Sequence, residues 1–152
     1  MVTSSINASQ TVNPALSLIA PWFSRIVMAP PVIIMTLIGL RYIRNPIHAA
    51  SPTGVALTTP EALTDTRVVG ALALTIAFAI AGSIVSVSSL RLGHATVIAL
   101  MGFILAVRFF GFSADGTTLA MGDQKVKVVG ELVFLTLNAL GLFFQTYLQA
   151  KR

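Results

Sequence analysis

The chain has 152 residues, of which 55% are hydrophobic and 10% charged, with a net charge of +5 and no cysteine. A soluble domain carries about 25% charged residues, so this composition excludes an ordinary soluble domain. The lack of cysteine excludes thiol catalysis, disulfides and thiolate metal sites. Lys and Arg stand one or two at a time at the ends of apolar runs, which is typical of membrane anchors. No basic stripe with interleaved aromatic residues occurs, so we expect no nucleic-acid partner.

The first apolar run predicts a membrane span at residues 25–42, because a bilayer core needs about 20 apolar residues in a helix. Asn13-Pro14 signals a helix start with a capping side chain and a proline at the first helical position. Pro21 lies in the stretch that follows, which we expect at the interface before the span begins. Pro30-Pro31 stands in the middle of the span and predicts a kink.

Four side chains are predicted to anchor this first span at the two interfaces. Trp22 and Tyr42 are separated by a distance of about 30 Å along a helix axis, so each aromatic ring falls in one headgroup layer. Arg25 and Arg41 stand beside them and can extend outward to the same layers.

Three further apolar runs predict spans at residues 68–90, 94–112 and 126–147. Thr59-Pro60-Glu61 is a second helix start inside the long loop that precedes the second span. The connection between the second and third spans is very short, which favours antiparallel neighbours. Small residues at four-residue spacing in the second span allow another helix to approach closely; they are Ala73, Ala77 and Ala81. The sequence therefore predicts one all-α domain, an up-down-up-down transmembrane four-helix bundle with a kinked first span.

Two ionisable residues lie inside apolar runs, Arg108 near the end of the third span and Glu131 near the start of the fourth. Residues that pair across an antiparallel hairpin have a nearly constant sum of residue numbers. The register that pairs Arg108 with Glu131 also pairs Met101 with Asn138 and His94 with Gln145. Glu131, Asn138 and Gln145 are spaced seven apart and so share one helix face. We therefore expect Arg108 to meet Glu131 inside the bundle.

Intramembrane charges have a functional and a structural interpretation. Such residues are functional by default, but a pair near the interface neutralises itself, and we favour a register-fixing ion pair. Arg67 opens the second span on the same membrane face, so an Arg67, Arg108 and Glu131 cluster would hold an anionic headgroup. Asn138 and Gln145 are expected to form interhelical hydrogen bonds.

From the other polar residues we expect no catalytic group, no cofactor and no metal site. The histidines, His48 and His94, fall at opposite membrane faces and cannot share a metal. Asp115 and Asp123 lie in a loop with too few oxygen ligands for calcium, so turn chemistry explains them better.

Three segments, "RVVGALAL", "LAVRFFGFSADG" and "VVGELVFL", resemble a family of small bacterial four-span membrane proteins catalogued as domain of unknown function 4345. The residues that carry the resemblance are Arg67, Gly70, Arg108, Gly116 and Glu131. The second-helix motif of the family usually has two glycines, where this chain has Val69-Gly70. The resemblance covers residues 25–144 and implies a fold and a site but no reaction.

These features favour a non-catalytic membrane protein, either an accessory or assembly subunit of a larger membrane complex or a binder of lipid or another apolar molecule. A small proton-coupled transporter is an alternative, although the first span has no acid. A membrane enzyme is less favoured, since no nucleophile–base pair occurs. The expected partners are membrane lipids and other membrane subunits or a second copy.

The distribution of Lys and Arg near the span ends is nearly even, four on one side and five on the other. Short basic segments count most in the positive-inside rule, so we expect both termini in the cytoplasm, and the resemblance implies a bacterial inner membrane. The four are Arg25, Arg91, Lys151 and Arg152.

Overall fold

The computed structural model describes residues 14–54, 56–114, 118–120 and 123–150. These residues form five α-helices and, within those ranges, no β-strand: α1 (Pro14–Arg44), α2 (Pro46–Ala50), α3 (Pro60–Val85), α4 (Leu90–Ala114) and α5 (Gln124–Ala150). All but α2 are long and apolar enough to cross a membrane. The chain is therefore an all-α integral membrane protein, as the apolar runs predict.

The first helix is longer than the predicted span. It begins at Pro14 and continues through Pro21 and Pro30-Pro31 to Arg44 without a break in helical structure. The interfacial stretch and the span that the sequence predicts therefore belong to one continuous helix. Asn13, the predicted capping residue, lies outside the described residues. Pro31 is fully buried, so this side of the helix faces the bundle. The bend expected at the two prolines stays a prediction.

The second predicted helix start is confirmed at residue 60. The Thr59 hydroxyl accepts a hydrogen bond from the Ala62 amide at 3.2 Å, and Pro60 occupies the first turn. These residues open α3 itself, which runs unbroken to Val85. A short helix not predicted from the sequence, α2, begins after Asn45, whose side chain accepts from the His48 amide.

The long helices form an antiparallel bundle in the order α1, α3, α4, α5, with α5 closing against α1. The contact between α1 and α3 is the most extensive, followed by that between α4 and α5, while α3 and α5 are diagonal. Three contacts show that the start of α1, the end of α3, the start of α4 and the end of α5 share one end: Arg25 with Ile84, Gln145 with Ala20, and Arg91 with Gln149. This arrangement confirms the up-down-up-down bundle.

Small residues explain the tight contact between α1 and α3. A Cβ added at Gly70 would lie 2.8 Å from the Gly39 carbonyl oxygen, and one at Gly39 would lie 2.7 Å from the Gly70 oxygen. Ala73 and Ala77 are buried on the same helix, and Ala81 is half-buried. Large side chains fill the middle of the bundle; they are Met28, Ile80, Leu90, Val97 and Met101.

Candidate functional site

Arg108 on α4 and Glu131 on α5 form the predicted contact. Arg108 Nε donates to Glu131 Oε2 at 2.9 Å, and Nη2 donates to Oε1. Nη1 donates to the Gln124 side-chain oxygen at 2.7 Å. The side chains of Arg108 and Glu131 are 21% and 13% exposed. A bidentate pair of this kind adds geometric specificity to charge attraction, so it can fix the register of α4 against α5.

Arg67 does not join this pair. Its side chain is exposed on α3, and no ion pair with Glu131 exists. The reason is the bundle order, because α3 lies diagonally opposite α5 and α4 separates the two helices. Sharing one end of a bundle does not bring side chains together, so the expected three-residue cluster is wrong.

The other two pairs of the predicted register are also wrong. His94 contacts Asn138, with 2.8 Å between His94 Nδ1 and Asn138 Oδ1. Gln145 instead reaches α1, where its amide nitrogen donates to the Ser24 hydroxyl at 2.9 Å and to the Ala20 carbonyl at 3.3 Å.

The length of the side chains explains this difference. Side chains lean toward the N-terminus of their own helix, so on antiparallel helices they lean in opposite directions. The tips of two long side chains then meet only when each residue lies closer to the C-terminus of its helix than a residue with a short side chain would, and this makes the sum of the two residue numbers larger. Arg108 and Glu131 therefore meet at a larger sum of residue numbers than the shorter His94 and Asn138.

His94 is a structural residue of the bundle interior. It is fully buried, as is Asn138. Asn138 donates through its amide nitrogen to the Phe134 carbonyl at 2.8 Å, so its oxygen accepts from His94 Nδ1. His94 Nε2 then carries a lone pair that has no hydrogen-bond partner among the described residues. The ring packs on Gly141, where an added Cβ would clash with three of its atoms.

A cleft of about 420 Å³ opens between α1, α4 and α5 beside the ion pair. Apolar side chains form most of its wall, and Arg108, Lys127 and Glu131 are its charged residues. The apolar residues are Pro31, Ile34, Met35 and Ile38 of α1, Met101 and Ile104 of α4, and Val126 and Phe134 of α5. Gly130 also lines the cleft, and an added Cβ there would meet nothing within 4 Å.

Lys127 stands at the polar end of the cleft. Its ammonium lies 2.6 Å from the carboxylate of Asp123, one turn earlier. The hydrogen bond from Lys127 lowers the pKa of the exposed Asp123 carboxyl below its ordinary value. Both side chains remain largely exposed.

The predicted interfacial anchors have partners within the bundle. Arg25 Nε donates to the Ile84 carbonyl at 3.2 Å, where the end of α3 leaves carbonyl groups without helical partners. Its guanidinium also lies 5.4 Å from the ring centroid of Trp22, which is largely exposed. At the other end of α1, Arg41 donates to the His48 carbonyl at 3.3 Å and Tyr42 is half-buried.

Sequence reasoning missed Gln124, Ser24 and the burial of His94. A signal for Gln124 was present, because it stands seven residues before Glu131 and extends the same polar face of α5. Within the described residues, no three His, Cys, Asp or Glu side chains converge as a metal site. Asp115 and Gly116 lie outside the described residues, as do Lys151 and Arg152.

No family model matches this chain, and comparison with curated proteins and with solved structures finds no match. The resemblance to the four-span family therefore stays a prediction.

Proposed function

We propose that this chain is a non-catalytic integral membrane protein that binds a lipid or another apolar molecule in the cleft between α1, α4 and α5. The observation that carries the proposal is the joining of an extended apolar wall to a charged pair at one end of the same cleft. Ligand pockets are mostly apolar with a few placed polar groups, and span about 300–1,000 Å³. The cleft fits this description.

The packing of the helices explains why the cleft exists. α5 is held to α1 at one end, where Gln145 contacts Ala20 and Ser24. Toward the other end the cleft separates the two helices, and α4 forms its floor. Ile34 and Ile38 on its α1 wall are about 40% exposed, so an acyl chain can enter sideways from the bilayer.

Filling the cleft tests this proposal. Gly130→Leu places a side chain in the cleft, and the open space at this position makes a folding defect unexpected. Gly102→Leu is the matched control, because an added Cβ there also meets nothing within 4 Å and the residue does not line the cleft. Each variant is purified in mild detergent, and the retained lipids and apolar molecules are quantified by mass spectrometry.

We expect the unaltered chain and Gly102→Leu to retain one amphiphile in near-stoichiometric amount, and Gly130→Leu to lose it. Equal retention by both variants, or none by the unaltered chain, would contradict the proposal. Mass spectrometry of proteins in the same sample tests the accessory-subunit role, which predicts that a second membrane protein co-purifies.

A proton-coupled transporter would use Glu131 differently. Its carboxylate would have to release and take up protons, whereas Arg108 here holds both oxygens. Glu131→Gln is therefore expected to destabilise the bundle because it leaves Arg108 without its charge partner. A variant that keeps its melting temperature but loses proton-coupled uptake would favour the transporter instead.

A further inference from the structure

Arg108 retains hydrogen-bond donors that Glu131 and Gln124 do not use. A guanidinium carries five N–H groups, and three of them donate to these two side chains. One N–H on each terminal nitrogen has no partner among the described residues. The side chain lines the cleft and is partly exposed, so these donors are accessible to a ligand.

A second cationic group stands at the same end of the cleft. Lys127 lines it, and its side chain is 46% exposed. Asp123 contacts Lys127 at 2.6 Å and is 65% exposed, but it does not line the cleft. The residues that line the cleft, two cations and one acid, carry a net charge of +1.

The cationic end of the cleft lies close to one membrane surface. α4 has 25 residues and is about 37 Å long, which exceeds a bilayer core of about 30 Å by roughly 4 Å at each end. Arg108 precedes the end of α4 at Ala114 by a distance of about 9 Å, so it lies roughly 5 Å inside the hydrocarbon boundary. Lys127 precedes Glu131 by one turn of α5 and so stands nearer the membrane surface, where a lysine ammonium reaches the lipid phosphates.

We infer that the occupant of the cleft is a glycerophospholipid whose phosphate is held by Arg108 and Lys127 while an acyl chain lies on the apolar wall. This inference rests on the proposed function, because it requires the cleft to bind an amphiphile. Electrostatic complementarity carries it, since a phosphodiester supplies acidic acceptor oxygens for the two unused donors of Arg108 and for the partly exposed ammonium of Lys127. The phosphate oxygens accept from the two unused N–H groups of Arg108, one on each terminal nitrogen.

Lipid titration followed by native mass spectrometry of the purified full chain tests this assignment. The probes are palmitoyl-oleoyl phosphatidylglycerol and palmitoyl-oleoyl glycerol, which has the same chains and no phosphate. We expect one saturable site that prefers the phospholipid by about tenfold, the factor that corresponds to one charge-assisted hydrogen bond. Lys127→Gln should reduce this preference about threefold or more, at roughly 0.7 kcal/mol. Lys125→Gln, an exposed lysine outside the cleft, is the matched control and should leave it unchanged.

Arg108→Lys should also lower the preference, because a lysine keeps the charge and lacks the second terminal nitrogen. If Arg108→Lys does not fold, the effect of Lys127→Gln on the lipid preference tests the phosphate assignment by itself. Equal binding of both lipids, or equal effects of Lys127→Gln and Lys125→Gln, overturns the phosphate assignment while leaving the cleft as an apolar site. Gly130→Leu separates the two failures: lipid binding that this variant does not weaken overturns the cleft itself, and with it the proposed function.

Discussion

Gly141→Ala is expected to destabilise the bundle by about 2 kcal/mol. A Cβ at this position would lie 2.9 Å from His94 Nδ1 and closer still to Cε1 and Nε2, well inside van der Waals contact. The ring cannot withdraw without breaking its 2.8 Å contact with Asn138, and it is fully buried. Overpacking costs about 1–3 kcal/mol and the lost hydrogen bond about 1 kcal/mol. The higher helix preference of alanine over glycine offsets about 0.5–1 kcal/mol of this destabilisation.

The assay is unfolding in mixed detergent micelles, followed by circular dichroism as the fraction of denaturing detergent rises. Gly102→Ala is the matched control: an added Cβ there meets nothing within 4 Å, so this variant should gain the helix preference alone and be about 0.5–1 kcal/mol more stable than the unaltered chain. The double variant His94→Ala/Gly141→Ala removes the clashing ring, so its destabilisation should fall short of the sum of the single variants by about 1 kcal/mol or more. If Gly141→Ala unfolds together with Gly102→Ala, or the two changes are additive, the imidazole does not pack on residue 141.

Three further substitutions test other interhelical contacts in the same assay. Asn138→Leu leaves His94 Nδ1 unpaired and should lower the free energy of unfolding by about 1–3 kcal/mol. Adding His94→Leu should recover most of this stability. A double variant less stable than Asn138→Leu would contradict the expectation. Gly70→Ala puts a methyl group 2.8 Å from a carbonyl oxygen of α1, so it should cost about 1–3 kcal/mol, whereas an unchanged midpoint would refute the close approach of α1 and α3. Gln145→Leu removes two donors to α1, including the bond to Ser24, and should cost about 1 kcal/mol at roughly 0.6 kcal/mol for each bond; a larger loss than for Asn138→Leu would contradict this ranking.

The candidate site was predictable where side chains are long and oppositely charged. Arg108 and Glu131 meet as expected because each carries a charge that hydrocarbon does not solvate, so each finds the other over a wide range of helix registers. His94 and Gln145 did not pair as expected, because the shorter side chains of His94 and Asn138 meet at a smaller sum of residue numbers and Gln145 contacts α1 instead. Gln124 belongs to the same heptad series and was available to sequence reasoning; Ser24 was not, because it depends on which helix covers Gln145.

The amino-acid sequence by itself determined that this chain spans a membrane with four helices, and it located the start of α3. The reason is local: without water, each crossing segment must satisfy its own backbone as a helix, and apolar length alone reveals it. The bundle order was decided only by the tertiary structure, through contacts such as that between Gly39 and Gly70. That order excludes Arg67 from the ion pair and opens the cleft beside Lys127, because both depend on which helices are neighbours, a property that no single segment encodes.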